Sequence, residues 1–305
     1  MIRSPGHPCG GRGLRTAGGG TRSGAAVAFL LEGKDEEALH NIRLVALDLD
    51  GTLLDSSSVL VPGAKEAVRR VLEKGVGVTL ATGRMFRSAL PFARELGIDL
   101  PLIVYNGALI KDPESGEILW QKLLPLEVAT SLVLKARAYN LAFNVYINDE
   151  LLVEDVRSEN ITYSQQARVP LNRVDDMLRV LNTEPLKFVA VHQGPELDLL
   201  EEEVRRDLGD RVYITRSFPH YLEIINPEAS KAKGLALLAA SRGISPAEVM
   251  VIGDSFNDVD MFRYAGLAVA MGNAPPDVRA HADYVTGTND EGGVAEALTR
   301  FILER

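Results

Sequence analysis

Short apolar runs that end in polar side chains constrain the fold of this chain more than any other feature. Residues 42–49 are almost wholly apolar and include Val45. The carboxyl end of this run carries Asp48 and Asp50, and a Gly-Thr turn follows. Such a run is typical of a strand buried on both faces of a parallel sheet. The sequence therefore predicts a buried strand whose carboxyl end carries two carboxylates.

Helices and strands alternate after this first strand. The predicted elements are, in order, helix 62–75, strand 76–81, helix 84–97 and strand 102–105. The pair Asn106 and Gly107 then predicts a turn and a hairpin that runs through Trp120. This succession predicts right-handed crossovers and a doubly wound, Rossmann-like α/β core, in which ligands bind beyond the carboxyl ends of the strands.

Between residues 125 and 225 the pattern changes to separate helices and hairpin-like strands. Helices are predicted over 126–139 and 196–208, and strands over 143–153, over 187–192 and on both sides of Pro219. The core pattern then resumes with helix 233–242, strand 249–252, helix 258–265 and strand 267–270. We therefore expect an α+β cap domain, 125–225, inserted into a discontinuous core, 41–124 and 226–305.

The first 40 residues and the overall composition narrow the function classes. Residues 1–40 hold nine of the 27 glycines and no apolar periodicity, which predicts a disordered extension. The apolar runs after residue 40 are too short to span a bilayer, so no membrane partner is expected. The single cysteine, Cys9, excludes an intramolecular disulfide and fits a cytoplasmic location. Because 42 acidic residues exceed 33 basic ones, nucleic acid is not an expected partner.

Polar clusters also follow the other core strands, where they would meet at one edge of the sheet. They are Asp48 with Asp50, Thr82-Gly83-Arg84, Lys231 with its neighbour Lys233, and residues 253–258 with Asp254 and Asp258. Each cluster alone fits an ordinary turn or helix cap. Together they predict a site, and since paired carboxylates need a counter-ion, a hard cation such as Mg²⁺ is the expected cofactor.

In this order the four clusters resemble the haloacid dehalogenase superfamily. Within it, the large insert and three further motifs resemble the Cof-type sugar and cofactor phosphatases. These motifs are Asn106-Gly107-Ala108, Met271-Gly272-Asn273-Ala274 and residues 288–294. The resemblance runs from about Arg43 to the end of the chain. One departure is Ala232, because family sequences usually have glycine after the lysine.

The resemblance implies a role for each cluster. Asp48 would be the nucleophile that becomes an aspartyl phosphate, and Asp50 the general acid and base. Phosphate would be bound by Thr82, Gly83, Arg84, Asn106, Lys231 and Asn257. Mg²⁺ would be held by Asp48, the backbone carbonyl of Asp50 and Asp254, with Asp258 behind them.

The expected function is that of a Mg²⁺-dependent phosphomonoesterase that acts on a small phosphorylated metabolite, either a sugar phosphate or a phosphorylated cofactor. Two alternatives remain open. A phosphomutase would pass the phosphoryl group from the aspartate to a second hydroxyl of a bound sugar. A non-catalytic binding module would keep the fold without turnover. The sequence does not specify the oligomeric state.

Overall fold

The computed structural model describes residues 41–216 and 218–305, which form three sheets. The predicted extension over residues 1–40 lies outside the described residues. The strands are β1 Leu44–Leu47, β2 Gly77–Leu80, β3 Leu102–Val104, β4 Leu109–Lys111, β5 Ile118–Gln121, β6 Ala142–Ile147, β7 Glu150–Val153, β8 Leu171–Arg173, β9 Lys187–Val191, β10 Tyr213–Thr215, β11 Tyr221–Ile225, β12 Val249–Gly253, β13 Leu267–Ala270 and β14 Tyr284–Val285. The α-helices are α1 Pro62–Glu73, α2 Phe86–Leu96, α3 Leu126–Ala138, α4 Ser158–Ala167, α5 Met177–Val180, α6 Glu196–Leu208, α7 Lys231–Ser241, α8 Val259–Tyr264, α9 Pro276–Arg279 and α10 Gly293–Leu298.

The first sheet is parallel throughout and has the strand order β14-β13-β12-β1-β2. Strand β1 lies between β12 and β2, and its last residue, Leu47, pairs with Ile252 and Leu80. Every residue of β1 is buried, as expected for a strand covered on both faces. The predicted doubly wound α/β core is confirmed, and the carboxyl ends of these strands share one edge.

A small antiparallel sheet of β3, β4 and β5 lies beside the first, where Ala81 forms a parallel bridge with Ile103. The predicted Asn106-Gly107 turn joins β3 to β4. Gly107 has φ +88°, and a Cβ there would lie 2.1 Å from the carbonyl oxygen of Ser230. Only glycine fits this contact, which brings the turn against the start of α7.

The six-stranded sheet has the order β10-β11-β9-β6-β7-β8, and all its strands fall within the predicted cap. Alternate residues such as Phe143, Phe188 and Leu222 face one apolar cluster with α3 and α6. The residues between them, including Lys187 and Glu223, occupy the opposite face. The proposed division into core and cap domains stays a prediction, but the insert clearly builds its own sheet.

Two features differ from the sequence predictions. Helix α7 begins at Lys231, not Lys233, because the Ser230 side chain accepts a hydrogen bond from the Lys233 amide at 3.2 Å and caps the helix there. The segment α4-β8-α5 was not predicted, since α4 has few apolar residues and therefore little helical periodicity. In the part of the chain that the structure describes, no helix is both long and apolar enough to cross a bilayer.

Candidate active site

The predicted acidic residues meet at the carboxyl edge of the parallel sheet. Asp48 directly follows β1, Thr82 follows β2, and Asp254 follows β12. With Asp50 they line a pocket of about 330 Å³ between the sheet edge and the cap. The strand order therefore brings together three polar clusters that are far apart in sequence.

Lys231 is a buried cation shared by two carboxylates. Its Nζ donates to Oδ1 of Asp48 and to Oδ1 of Asp258, at 2.7 Å in each case. Burial has the largest effect on the pKa of Asp48 and raises it. Lys231 lowers this pKa, Asp258 and Asp50 raise it further, and the net result is a pKa of about 7. Although burial opposes the charge of Lys231, the two carboxylates raise its pKa above the ordinary value. The lysine therefore stays charged beside Asp48.

Asp258 organises the loop that carries Asp254. Its Oδ2 accepts hydrogen bonds from the amides of Asp254 and Ser255, both at 3.0 Å, while its Oδ1 is bound to Lys231. A Cβ on Gly253 would lie 2.5 Å from Cγ of Asp258, so glycine permits this close packing. With both oxygens engaged, Asp258 is suited to positioning its neighbours.

The acidic residues fit a hard divalent cation. Oxygen atoms of Asp48, Asp254 and Asp258 lie within 4.8 Å of one another, and Lys231 pairs with only the first and third. Asp254 accepts a hydrogen bond from Thr52 Oγ1 at 3.0 Å, and burial, Asp48 and Asp258 raise its pKa well above the usual range. Lys231 offsets only one of the three carboxylate charges, so when all three are ionised two negative charges in this group lack a cation. An oxygen-preferring cation such as Mg²⁺ fits that deficit.

Arg84 holds Asp50, although the sequence predicted that it binds phosphate. Its Nε and Nη2 donate to the two oxygens of Asp50, both at 2.7 Å, and its Nη1 donates to Ser88 at 3.1 Å. This bidentate pair fixes the orientation of the Asp50 carboxylate. The Thr82 hydroxyl accepts the Arg84 amide at 3.1 Å, which leaves the hydroxyl proton available for a substrate oxygen.

Asn106 and Asn257 are joined in a buried chain of side-chain hydrogen bonds next to the pocket. The Asn106 amide nitrogen donates to Glu223, which fixes its Oδ1 as the acceptor for Asn257 Nδ2 at 3.0 Å. The remaining Oδ1 of Asn257 is buried, has no partner among the described residues, and belongs to a residue that lines the pocket. An acceptor suits a water or hydroxyl donor, not a phosphate oxygen. The free Oδ1 of Asn257 would therefore not bind a phosphate oxygen, and the phosphate contacts expected of Asn106 and Asn257 stay predictions.

Two motifs quoted above for the family resemblance secure the loop after Asp50. Asn273 donates to the carbonyl of Gly51 at 2.8 Å, and Asn289 donates to the carbonyl of Leu54 at 2.9 Å. Gly51 has φ +79°, and a Cβ there would lie 2.4 Å from the Asp254 carboxylate. No individual role was predicted for these asparagines, because their partners are backbone carbonyls more than 200 residues away.

The cap contributes a wall to the pocket that sequence reasoning missed. Its lining residues are Tyr146, Tyr163, Gln166, Ala167, Phe218, Tyr221 and Glu223. The Tyr163 and Tyr221 rings meet edge to face with centroids 5.0 Å apart. A signal was present in the sequence, because Glu223 interrupts an otherwise apolar strand and Lys187 begins another.

The two lysines of α7 provide a matched test of the predicted phosphate cation. Residues two apart on a helix diverge by about 200°, so only one can face the site. Lys233 is exposed and donates to the carbonyl of Pro227 at 3.0 Å. We expect Lys231→Ala to lower kcat by about 10²-fold or more, and Lys233→Ala to change it less than about threefold. Steady-state kinetics with circular dichroism would check this, and the reverse ranking would contradict it.

Comparisons with known proteins show which family the chain is similar to. A model of the haloacid dehalogenase-like hydrolase family matches residues 45–298. Pyridoxal phosphate phosphatase YbhA of Escherichia coli (strain K12) is 30% identical over 271 residues, covering 86% of this chain and 99% of that protein. The 5-amino-6-(5-phospho-D-ribitylamino)uracil phosphatase YcsE of Bacillus subtilis (strain 168) is 32% identical over 263 residues, covering 86% and 97%. A solved haloacid dehalogenase-like hydrolase from Bacteroides thetaiotaomicron matches with a TM-score of 0.80 and 33% identity, covering 86% and 100%.

Proposed function

The chain belongs to the haloacid dehalogenase-like hydrolases and is a phosphatase, and from this premise we propose a Mg²⁺-dependent phosphomonoesterase that acts on a small phosphorylated metabolite. The observation that carries the proposal is the meeting of Asp48, Asp50, Thr82 and Asp254 around one pocket of about 330 Å³. That volume suits a phosphoryl group with a leaving group of ring size. The matched relatives named above act on pyridoxal phosphate and on a phosphoribitylaminouracil. We propose a sugar or cofactor phosphate of similar size as the substrate here.

In the first step, an oxygen of Asp48 attacks phosphorus in line with the leaving oxygen. The bond from phosphorus to that oxygen breaks, and Asp50 gives the leaving alcohol its proton. The Arg84 fork holds Asp50 in place for this transfer. Thr82 donates to a transferring phosphoryl oxygen, while Lys231 offsets the negative charge around Asp48.

In the second step, Asp50 takes a proton from water as that water attacks the aspartyl phosphate. The bond between Asp48 and phosphorus breaks, inorganic phosphate leaves, and both carboxyl groups return to their starting forms. Asp48 and Asp254 would hold the divalent ion, with Asp258 orienting the loop. When bound, the ion neutralises phosphate and carboxylate charge and so permits the two anions to approach.

Release of inorganic phosphate tests the proposal. The intact protein would be screened against phosphorylated sugars, polyols, cofactors and phenyl phosphate, with Mg²⁺ and with EDTA. We expect Mg²⁺-dependent hydrolysis of at least one of these compounds. Failure to hydrolyse any of them would overturn the proposal. Transfer of the phosphoryl group to a second hydroxyl of the sugar, seen by product analysis, would favour the phosphomutase. The cytoplasmic location stays a prediction from the sequence.

A further inference from the structure

The cap wall contains one carboxylate and no lysine or arginine among the residues described as lining the pocket. That carboxylate is Glu223 of β11, which is only 3% exposed and sits between Leu222 and Ile224 of the apolar cluster. Strand alternation therefore turns Glu223 away from the cap interior and toward the core. A charged residue at such a position is costly unless it is paired and hydrogen-bonded.

Lys187 of β9 pairs with Glu223, and this contact occupies the lysine's own charge. Its Nζ lies 2.9 Å from a carboxylate oxygen of Glu223 and donates to the carbonyl of Gly83 at 3.0 Å. The same Glu223 oxygen accepts a hydrogen bond from Asn106. Lys187 is 1% exposed and does not line the pocket. The nearby cation is therefore held behind the carboxylate and is not presented to a ligand.

The core side of the pocket does not offer a spare cation either. Asp48, Asp50, Asp55 and Asp254 all line it. The one lining cation among the described residues, Arg84, is bound through two hydrogen bonds to Asp50. A divalent ion at Asp48 and Asp254 would neutralise charge on the transferring phosphoryl group. The cap side of the pocket, where the leaving group would lie, is lined by Glu223 and three tyrosines.

We propose that Glu223 is a specificity-determining residue that excludes leaving groups carrying a second anionic group and admits uncharged or cationic ones. This inference rests on the proposed phosphatase function. Lys187 offsets the charge of Glu223 but does not line the pocket, so a carboxylate or second phosphate on the leaving group would lose its water beside the carboxylate end of this pair. No free cation among the described lining residues would compensate for that loss. Hydroxyl or amino groups could instead donate hydrogen bonds to the wall.

Matched substrate pairs that differ in one charge test the proposal on the wild-type protein. The pairs are sorbitol 6-phosphate with 6-phosphogluconate, glycerol 3-phosphate with 3-phosphoglycerate, and phenyl phosphate with 4-carboxyphenyl phosphate. In every pair whose uncharged member is hydrolysed, we expect kcat/KM to be at least about tenfold lower for the anionic member. Equal rates within the pairs would overturn the inference alone. No hydrolysis of any compound would overturn the proposed function and this inference with it.

Substitution of Glu223 tests which residue sets the preference. In Glu223→Gln the wall loses its negative charge while Lys187 keeps its positive charge. We therefore expect the ratio of kcat/KM between the uncharged and the anionic member of each pair to fall at least fivefold. Glu202→Gln, on the exposed side of α6, is the matched control and should leave the preference unchanged. An unchanged preference in folded Glu223→Gln would remove Glu223 from the role. If that variant does not fold, the wild-type pairs still decide whether the pocket rejects anions.

Discussion

Replacing Asp48 with Asn is expected to lower kcat by at least about 10³-fold while the protein stays folded. An amide has nearly the shape of a carboxylate but is a far poorer nucleophile, so the aspartyl phosphate would not form. The fold should tolerate the change, because Lys231 keeps its 2.7 Å contact with Asp258. Burial already disfavours the charge of Asp48 and raises its pKa to about 7, so loss of that charge should not reduce stability.

Phosphate-release kinetics and thermal melting of the variant would measure both effects. Asp277→Asn, on exposed α9, is the control for a change of Asp to Asn that leaves the site intact. Intact-protein mass spectrometry after rapid acid quench should detect one added phosphoryl group on the wild type and none on Asp48→Asn. More than a tenth of the wild-type rate in the variant would contradict nucleophilic attack by Asp48.

Strands buried on both faces were the most predictable part of the fold. Residues 44–47 and 249–253 are continuous apolar runs, and few structures other than a central parallel strand accommodate such runs. Helix α4 was missed because its packing depends on Asn160 and Tyr163, which are buried through hydrogen bonds to other strands and side chains. Periodicity reports apolar burial, so it does not detect a helix held by polar contacts.

The same limit applies to the site. The positions of Asp48, Asp254 and Lys231 follow from strand ends and motif order, since the parallel sheet brings these ends together. The partner of Arg84 could not be predicted, because both phosphate and Asp50 are suitable acceptors for a guanidinium. Only the packing of Arg84 against Ser88 and Asp50 selects the carboxylate in the structure. Likewise, Glu223 lines the pocket because one face of the cap sheet is turned toward the core, which strand periodicity does not specify.

Chelation of divalent ions is expected to lower kcat by at least about 10³-fold, with full recovery on addition of Mg²⁺. Of the three clustered carboxylates, Lys231 pairs with only Asp48 and Asp258, so the ion would neutralise charge both for the protein and for the incoming phosphate. The free ion should also stabilise the fold, by about 2.7 kcal/mol at a concentration of 100 times Kd. Full activity in EDTA, or no change of melting temperature with Mg²⁺, would contradict the metal site.

Asp254→Asn and Asp258→Asn should separate ion binding from loop support. Asp254 makes one side-chain hydrogen bond, to Thr52, so its neutral variant should melt no lower than the ion-free wild type while Kd for Mg²⁺ rises more than about 100-fold. Asp258 accepts hydrogen bonds on both oxygens, and an amide can accept on only one side. Asp258→Asn should therefore melt lower, at a cost of about 1–3 kcal/mol for each group left unpaired, with Kd raised only about tenfold. Calorimetric Mg²⁺ titrations would rank the two variants by Kd, and melting curves would rank them by stability. An equal loss of Mg²⁺ affinity in both variants would mean that Asp258 contacts the ion directly.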